Sequence, residues 1–128
     1  MNCFLAVCKD RPNDPKQFFY TIYFVNNTNL IIEEIFYETG AFMSEDDDLI
    51  ETSRHKRNLG KIASNDFVEV ETADEGTFDF EIDFSFKMKF STGKVVNKAF
   101  SIGKYLRNAT KSDSIPVLLK AGYTIKER

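Results

Sequence analysis

The stretch FDFEIDFSFKMKF, residues 78–90, carries Phe78, Phe80, Ile82, Phe84, Phe86, Met88 and Phe90 at every second position. Asp79, Glu81, Asp83, Ser85, Lys87 and Lys89 fill the places between them. Successive side chains of a β-strand point to opposite faces, so this is a ribbon with one apolar side and one charged side. The next residues supply its neighbour. Ser91, Thr92 and Gly93 read as a three-residue hairpin loop with glycine at the left-handed position. Phe90 then closes on Lys94, Met88 faces Val96, Phe84 faces Phe100 and Ile82 faces Ile102. A two-residue loop would slide Phe100 and Ile102 to the charged face. The awkward pair of the preferred register is Phe86 with Lys98.

The same reasoning runs outward along the chain. FLAVC (residues 4–8) reads as a short strand, followed by a turn-rich connector holding Pro12 and Pro15. Phe18 to Asn27 is apolar on both faces and rich in aromatic and β-branched residues, as in a strand buried mid-sheet. Leu30 to Gly40 is a further strand, and the adjacent Glu33 and Glu34 require a bulge or an exposed edge. Arg54, His55, Lys56 and Arg57 read as a basic turn. Phe67 to Glu71 is a strand with Val68 and Val70 on one face. Ile102, Tyr105, Leu106 and Ala109 have helical spacing, which Gly103 weakens. Ser114 to Gly122 reads as a short helix, capped by Ser114, with Pro116 in its first turn and Gly122 at its end. Tyr123 to Glu127 is a last strand.

This pattern, roughly seven or eight short strands separated by turns, predicts a single all-β domain over residues 1–128. The expected architecture is an antiparallel β-sandwich, immunoglobulin-like in the loose sense, with a short C-terminal helix. A small β-barrel is the alternative. The 128 residues include 13 Phe, 5 Tyr and no Trp. Such aromatic weight suits pleated, half-buried surfaces.

Net charge is −3, which argues against a nucleic-acid binder. The charge is unevenly spread. Residues 1–83 hold 7 basic and 18 acidic side chains, a net of −11, and residues 84–128 hold 10 and 2, a net of +8. Acidic strands beside basic ones within the fold account for this reversal, with Lys104 expected near the Asp79–Asp83 half. The rival account is a dipolar surface that steers a partner or pairs head to tail with a second copy as a homo-dimer.

The residues carry little chemistry. Cys3 and Cys8 lie five apart, on opposite faces of a strand, and read as two buried thiols. His55 is the single histidine, and neither GxSxG nor a Cys–His motif accompanies it. STGK lacks the rest of a P-loop. The run Glu45 to Asp48 lacks the spaced oxygens and glycine of an EF-hand. No catalytic residue, cofactor or metal site is legible. MNCFLAVCKDRP has neither a basic leader nor a long apolar segment, and no run reaches membrane-spanning length, so a cytoplasmic chain is expected. The reading is a non-catalytic interaction or accessory module with a protein partner. Its expected interaction surface is Lys87, Lys89, Lys94 and Lys98 of the hairpin with Arg54, His55, Lys56 and Arg57. The alternative is a carrier enclosing a small apolar ligand among the phenylalanines.

Overall fold

The computed structural model describes residues 2–45, 48–51 and 54–128, with backbone alone at 43–45 and 48–51. Among the described residues ten strands form two antiparallel sheets packed face to face. They are β1 (Cys3–Cys8), β2 (Tyr20–Asn26), β3 (Ile32–Glu45), β4 (Asp48–Glu51), β5 (His55–Ile62), β6 (Asp66–Ala73), β7 (Glu81–Phe90), β8 (Val95–Ile102), β9 (Thr110–Ser112) and β10 (Gly122–Ile125). The first sheet has the order β6-β2-β1-β10-β9. In the second, β8 pairs with β7 and β7 with β3, while β4 and β5 pair successively along the other side of β3. The likeness to immunoglobulin domains is one of layering. Their first strand lies at a sheet edge, whereas β1 here is central and pairs with both β2 and the last strand.

The β7–β8 hairpin has the register read from the sequence. Ile82 faces Ile102, Phe84 faces Phe100, Phe86 faces Lys98 and Met88 faces Val96. Gly93 sits at φ +90°, and the Phe90 N–H donates to the Lys94 carbonyl oxygen at 2.9 Å. The inward side chains of β7 are buried without a break from Ile82 to Phe90. Phe78 belongs instead to a 3-10 turn, Glu75–Asp79, whose N-terminus Asp74 caps by accepting from the Thr77 N–H. It is buried nonetheless.

The core is made of rings in mutual contact. Phe24 of β2 reaches across the gap to Phe86, with ring centroids 4.8 Å apart. Phe86 also meets Phe100 edge to face at 5.7 Å and Tyr37 at 5.7 Å. Lys98, opposite Phe86, keeps its stem at the margin of this cluster and carries its ammonium to Glu127, 3.0 Å away. Residues 126–128 there cross from β10 to β8. Phe100 and Glu127 form an antiparallel bridge, and the Arg128 N–H donates to the Ala99 carbonyl oxygen. One side of the sandwich is thus laced by backbone, a partial step towards a barrel.

The opposite side is held by side chains between edge strands β5 and β6. A register shift on β6 leaves Val70 as an extra residue opposite β2. The Val70 carbonyl oxygen accepts from Arg57 Nη1 at 2.9 Å and from the Tyr37 hydroxyl at 3.2 Å. His55 Nε2 lies 3.4 Å from Glu71 Oε1 at the same seam. The sequence expectation of a basic turn at Arg54–Arg57 therefore fails, because from His55 onward this segment is strand β5, paired to β3. The bulge expected at Glu33 and Glu34 is present, as the register shifts between Ile32 and Glu34.

The helix expected over Ser114 to Gly122 does not form. Val117 and Leu119 lie at φ +74° and +56°, outside helical geometry. The segment is a tight loop, closed by the Leu119 N–H to the Ile115 carbonyl oxygen and the Ile115 N–H to the Lys120 carbonyl oxygen. Packing overrides the capping signals. The loop lays Ile115 and Leu118 on the outward side chains Phe4, Ala6, Cys8, Tyr23 and Val25, forming a second small core. Cys3 and Cys8 fall on opposite faces as expected, one in each cluster. Asp10 pins this loop. It accepts from the Tyr23 and Thr21 hydroxyls and from Lys120 Nζ. Burial works against its charge, but these three donors hold the carboxyl below its usual range. The helical spacing from Ile102 yields only a 3-10 turn, Lys104–Leu106.

Two outcomes follow from this packing. Phe84 is 1% exposed, and Phe84→Ala should cost about 3–5 kcal/mol in chemical denaturation. Ser85→Ala, one residue away on the outer face, should cost under about 0.5 kcal/mol. The lowered Asp10 pKa contributes stability that is present above its unfolded value of 3.8 and is lost as pH falls through the folded value. The difference in melting temperature between the parent and Asp10→Asn should therefore be largest near neutrality and shrink below about pH 4.

Candidate functional site: the outer face of the second sheet

The second sheet turns one face to the core and leaves the other uncovered. Period 2 fixes which side chains point out: Glu34, Phe36, Glu38 and Gly40 on β3, and Asp83, Ser85, Lys87 and Lys89 on β7. Across the strands they stand in rows. Asn58, Phe36, Lys87 and Asn97 form one row, and Lys56, Glu38, Ser85 and Ala99 the next. These two rows line a shallow trough of about 590 Å3. Its depth comes from the small Ser85 and Ala99 between larger neighbours. Phe36 stands in it 41% exposed.

Part of this face is neutralised from within. Arg54 folds across Gly40 and grips two strands at once. Its Nε lies 3.0 Å from Glu38 Oε1 and its Nη2 2.9 Å from Asp83 Oδ1. Glycine lets it lie close, since a Cβ at position 40 would stand 2.8 Å from Arg54 Nη1 and push the guanidinium aside. The hydrogen bonds to Asp83 and then Glu38 raise the already high guanidinium pKa further. Asp83 is thus paired with Arg54, and not with Lys104 as the sequence suggested. Lys104 instead places its ammonium over the Tyr105 ring. Glu34 stands opposite Lys89 in the ladder.

The eight basic residues expected as one surface are divided by the fold. Arg54, Lys56, Lys87 and Lys89 share the outer face. Arg57 and His55 are turned to the β5–β6 seam, and Lys98 to the opposite seam. Lys94 sits at the hairpin turn. Of the outer-face group, the side chains of Lys56, Lys87 and Lys89 make no hydrogen bond or ion pair among the described residues.

Sequence reasoning missed Phe36, Asn58, Asn97 and Ala99. A signal for Phe36 existed. In the run Ile35-Phe36-Tyr37 the middle ring must face away from its neighbours, and Glu34 and Glu38 share its parity.

His55 has Glu71 as a partner, but the Thr39 hydroxyl across the ladder is committed to the Asp83 carbonyl oxygen at 2.7 Å. Both thiols are buried, and burial pushes Cys3 and Cys8 up to about 11, away from the reactive thiolate. Among the described residues no group of three or more His, Cys, Asp or Glu could hold a metal ion, and no helix is long and apolar enough to cross a membrane. Asp46 and Asp47 of the acidic run lie outside the described residues. Comparison of the chain with protein-family models, with curated proteins and with solved structures finds no match.

Proposed function

We propose that this domain is a non-catalytic interaction module whose outer trough receives an acidic, aromatic- or aliphatic-bearing segment of a protein partner. One observation carries the reading: Phe36 stands exposed in a trough flanked by the unpaired ammonium groups of Lys56 and Lys87. An exposed ring beside desolvatable cations is what a partner buries with profit, the ring giving affinity and the charges orientation and rate. Asn58 and Asn97 offer amides at the rim of the same trough. The free cysteines suit a reducing compartment, and we place the module in the cytoplasm. The carrier alternative has less support, since Phe24, Phe86 and Phe100 fill the gap between the sheets by touching one another.

Selection of a displayed random-peptide library on the immobilised domain tests this. Enriched sequences should combine Asp or Glu with an aromatic or aliphatic residue, and should bind Phe36→Ala and the Lys56→Glu/Lys87→Glu double variant at least about tenfold more weakly, the loss of one good contact. Enrichment of neutral or basic sequences, or binding indifferent to these changes, would contradict the proposal.

A further inference from the structure

A second cavity, of about 410 Å3, opens at one end of the sandwich between the two 3-10 turns. It is lined by Tyr20, Phe78, Tyr105 and Tyr123, with Glu75 and Asp79 beside them. None of these residues belongs to the outer trough. Four aromatic rings and two carboxylates around one opening form an electron-rich enclosure.

Three features mark it as more than a crevice. The first is Tyr105. It is 67% exposed and lies at φ +58°, and Leu106 follows at φ +57°. Two successive non-glycine residues in the left-handed region are costly. The strained turn sets a large ring at the cavity mouth, where it gains little by burial. The second is the attraction these rings already exert on cations. Lys9 Nζ stands 5.6 Å from the Tyr20 ring centroid, and Lys104 Nζ 5.3 Å from that of Tyr105. Neither lysine lines the cavity. The third is the division of labour between the carboxylates. Glu75 is engaged, accepting from the Tyr20 hydroxyl and from Lys9 Nζ. The Asp79 carboxylate makes no hydrogen bond or ion pair among the described residues.

We infer that this cavity binds a weakly hydrated organic cation, a methylated ammonium or a guanidinium group. Ring faces attract such a cation through their quadrupoles, and its low hydration makes entry inexpensive. Asp79 supplies the countercharge. Anions are repelled by the same carboxylates, and a small metal ion would find too few oxygens.

The test is titration of the intact domain, followed by the ring-proton resonances of Tyr105 and Tyr123. The probes are choline, arginine amide, the neutral choline isostere 3,3-dimethylbutanol, and methyl glucoside. Choline or arginine amide should shift these resonances saturably, with an apparent Kd at least about tenfold below that of the isostere, as a desolvated cation–π contact allows. Tyr105→Phe should keep the binding. Tyr105→Gly, which suits the left-handed backbone and so preserves the fold, should abolish it, and Asp79→Asn should weaken it about tenfold. Equal response to the isostere, saturation by the glucoside in place of the cations, no saturable response, or unaltered binding by Tyr105→Gly would each overturn the inference. None of these outcomes depends on the trough around Phe36.

Discussion

The contact on which the rest of this structure depends is that of Phe86 with Phe24 across the gap between the sheets. Phe86 sits near the middle of β7, and β7 lies between β3 and β8. Its ring touches those of Phe24, Tyr37, Phe84 and Phe100. Away from the two seams, the sheet faces are joined by such packing, since most of their backbone groups bond within each layer. The period-2 alternation of β7 follows from this: each second residue must reach the ring layer, and each residue between must tolerate water. Lys98 obeys the same constraint from a worse starting point. Standing opposite Phe86, it pays with a folded-over stem and finds Glu127. An inward charge near the margin of β8 also discourages the addition of another strand there.

The second consequence concerns the seams. A sandwich has two, and they are closed differently. On one, residues 126–128 cross over and bond to β8 by backbone. On the other, a single extra residue in β6 presents the Val70 carbonyl oxygen to Arg57 and Tyr37. Some charges are paired inside the fold, at Arg54 with Glu38 and Asp83, Lys98 with Glu127 and Lys120 with Asp10, and among the described residues only the last of these ion pairs joins the acidic stretch 1–83 to the basic stretch 84–128. Lys56 and Lys87 beside Phe36 are left unpaired.

Much of the fold was legible because it rests on period and turn chemistry. Gly93 after Ser91 and Thr92 set the hairpin register, and the adjacent Glu33 and Glu34 revealed the bulge in β3. What failed were readings of local signals that tertiary packing overrules. Ser114, Pro116 and Gly122 are helix punctuation, but Ile115 and Leu118 are needed on the outside of the first sheet, and the loop that delivers them requires left-handed residues at 117 and 119. Arg54 to Arg57 look like a solvated turn until Tyr37 and Val70 are seen to await Arg57. The candidate site was half legible. A list of lysines and arginines does not say which are already paired, and that depends on contacts between residues far apart in sequence, such as Arg54 with Asp83. Phe36 was hidden by its company, since an apolar residue among apolar residues is counted as core unless its parity is checked.

A double-mutant cycle on Phe24→Leu and Phe86→Leu, read by chemical denaturation, measures the inter-sheet contact itself. If these rings hold the layers together, the double variant is destabilised by about 1 kcal/mol less than the sum of the two separate costs. Additivity to within about 0.3 kcal/mol would mean that the sheets are held elsewhere, and would contradict the account.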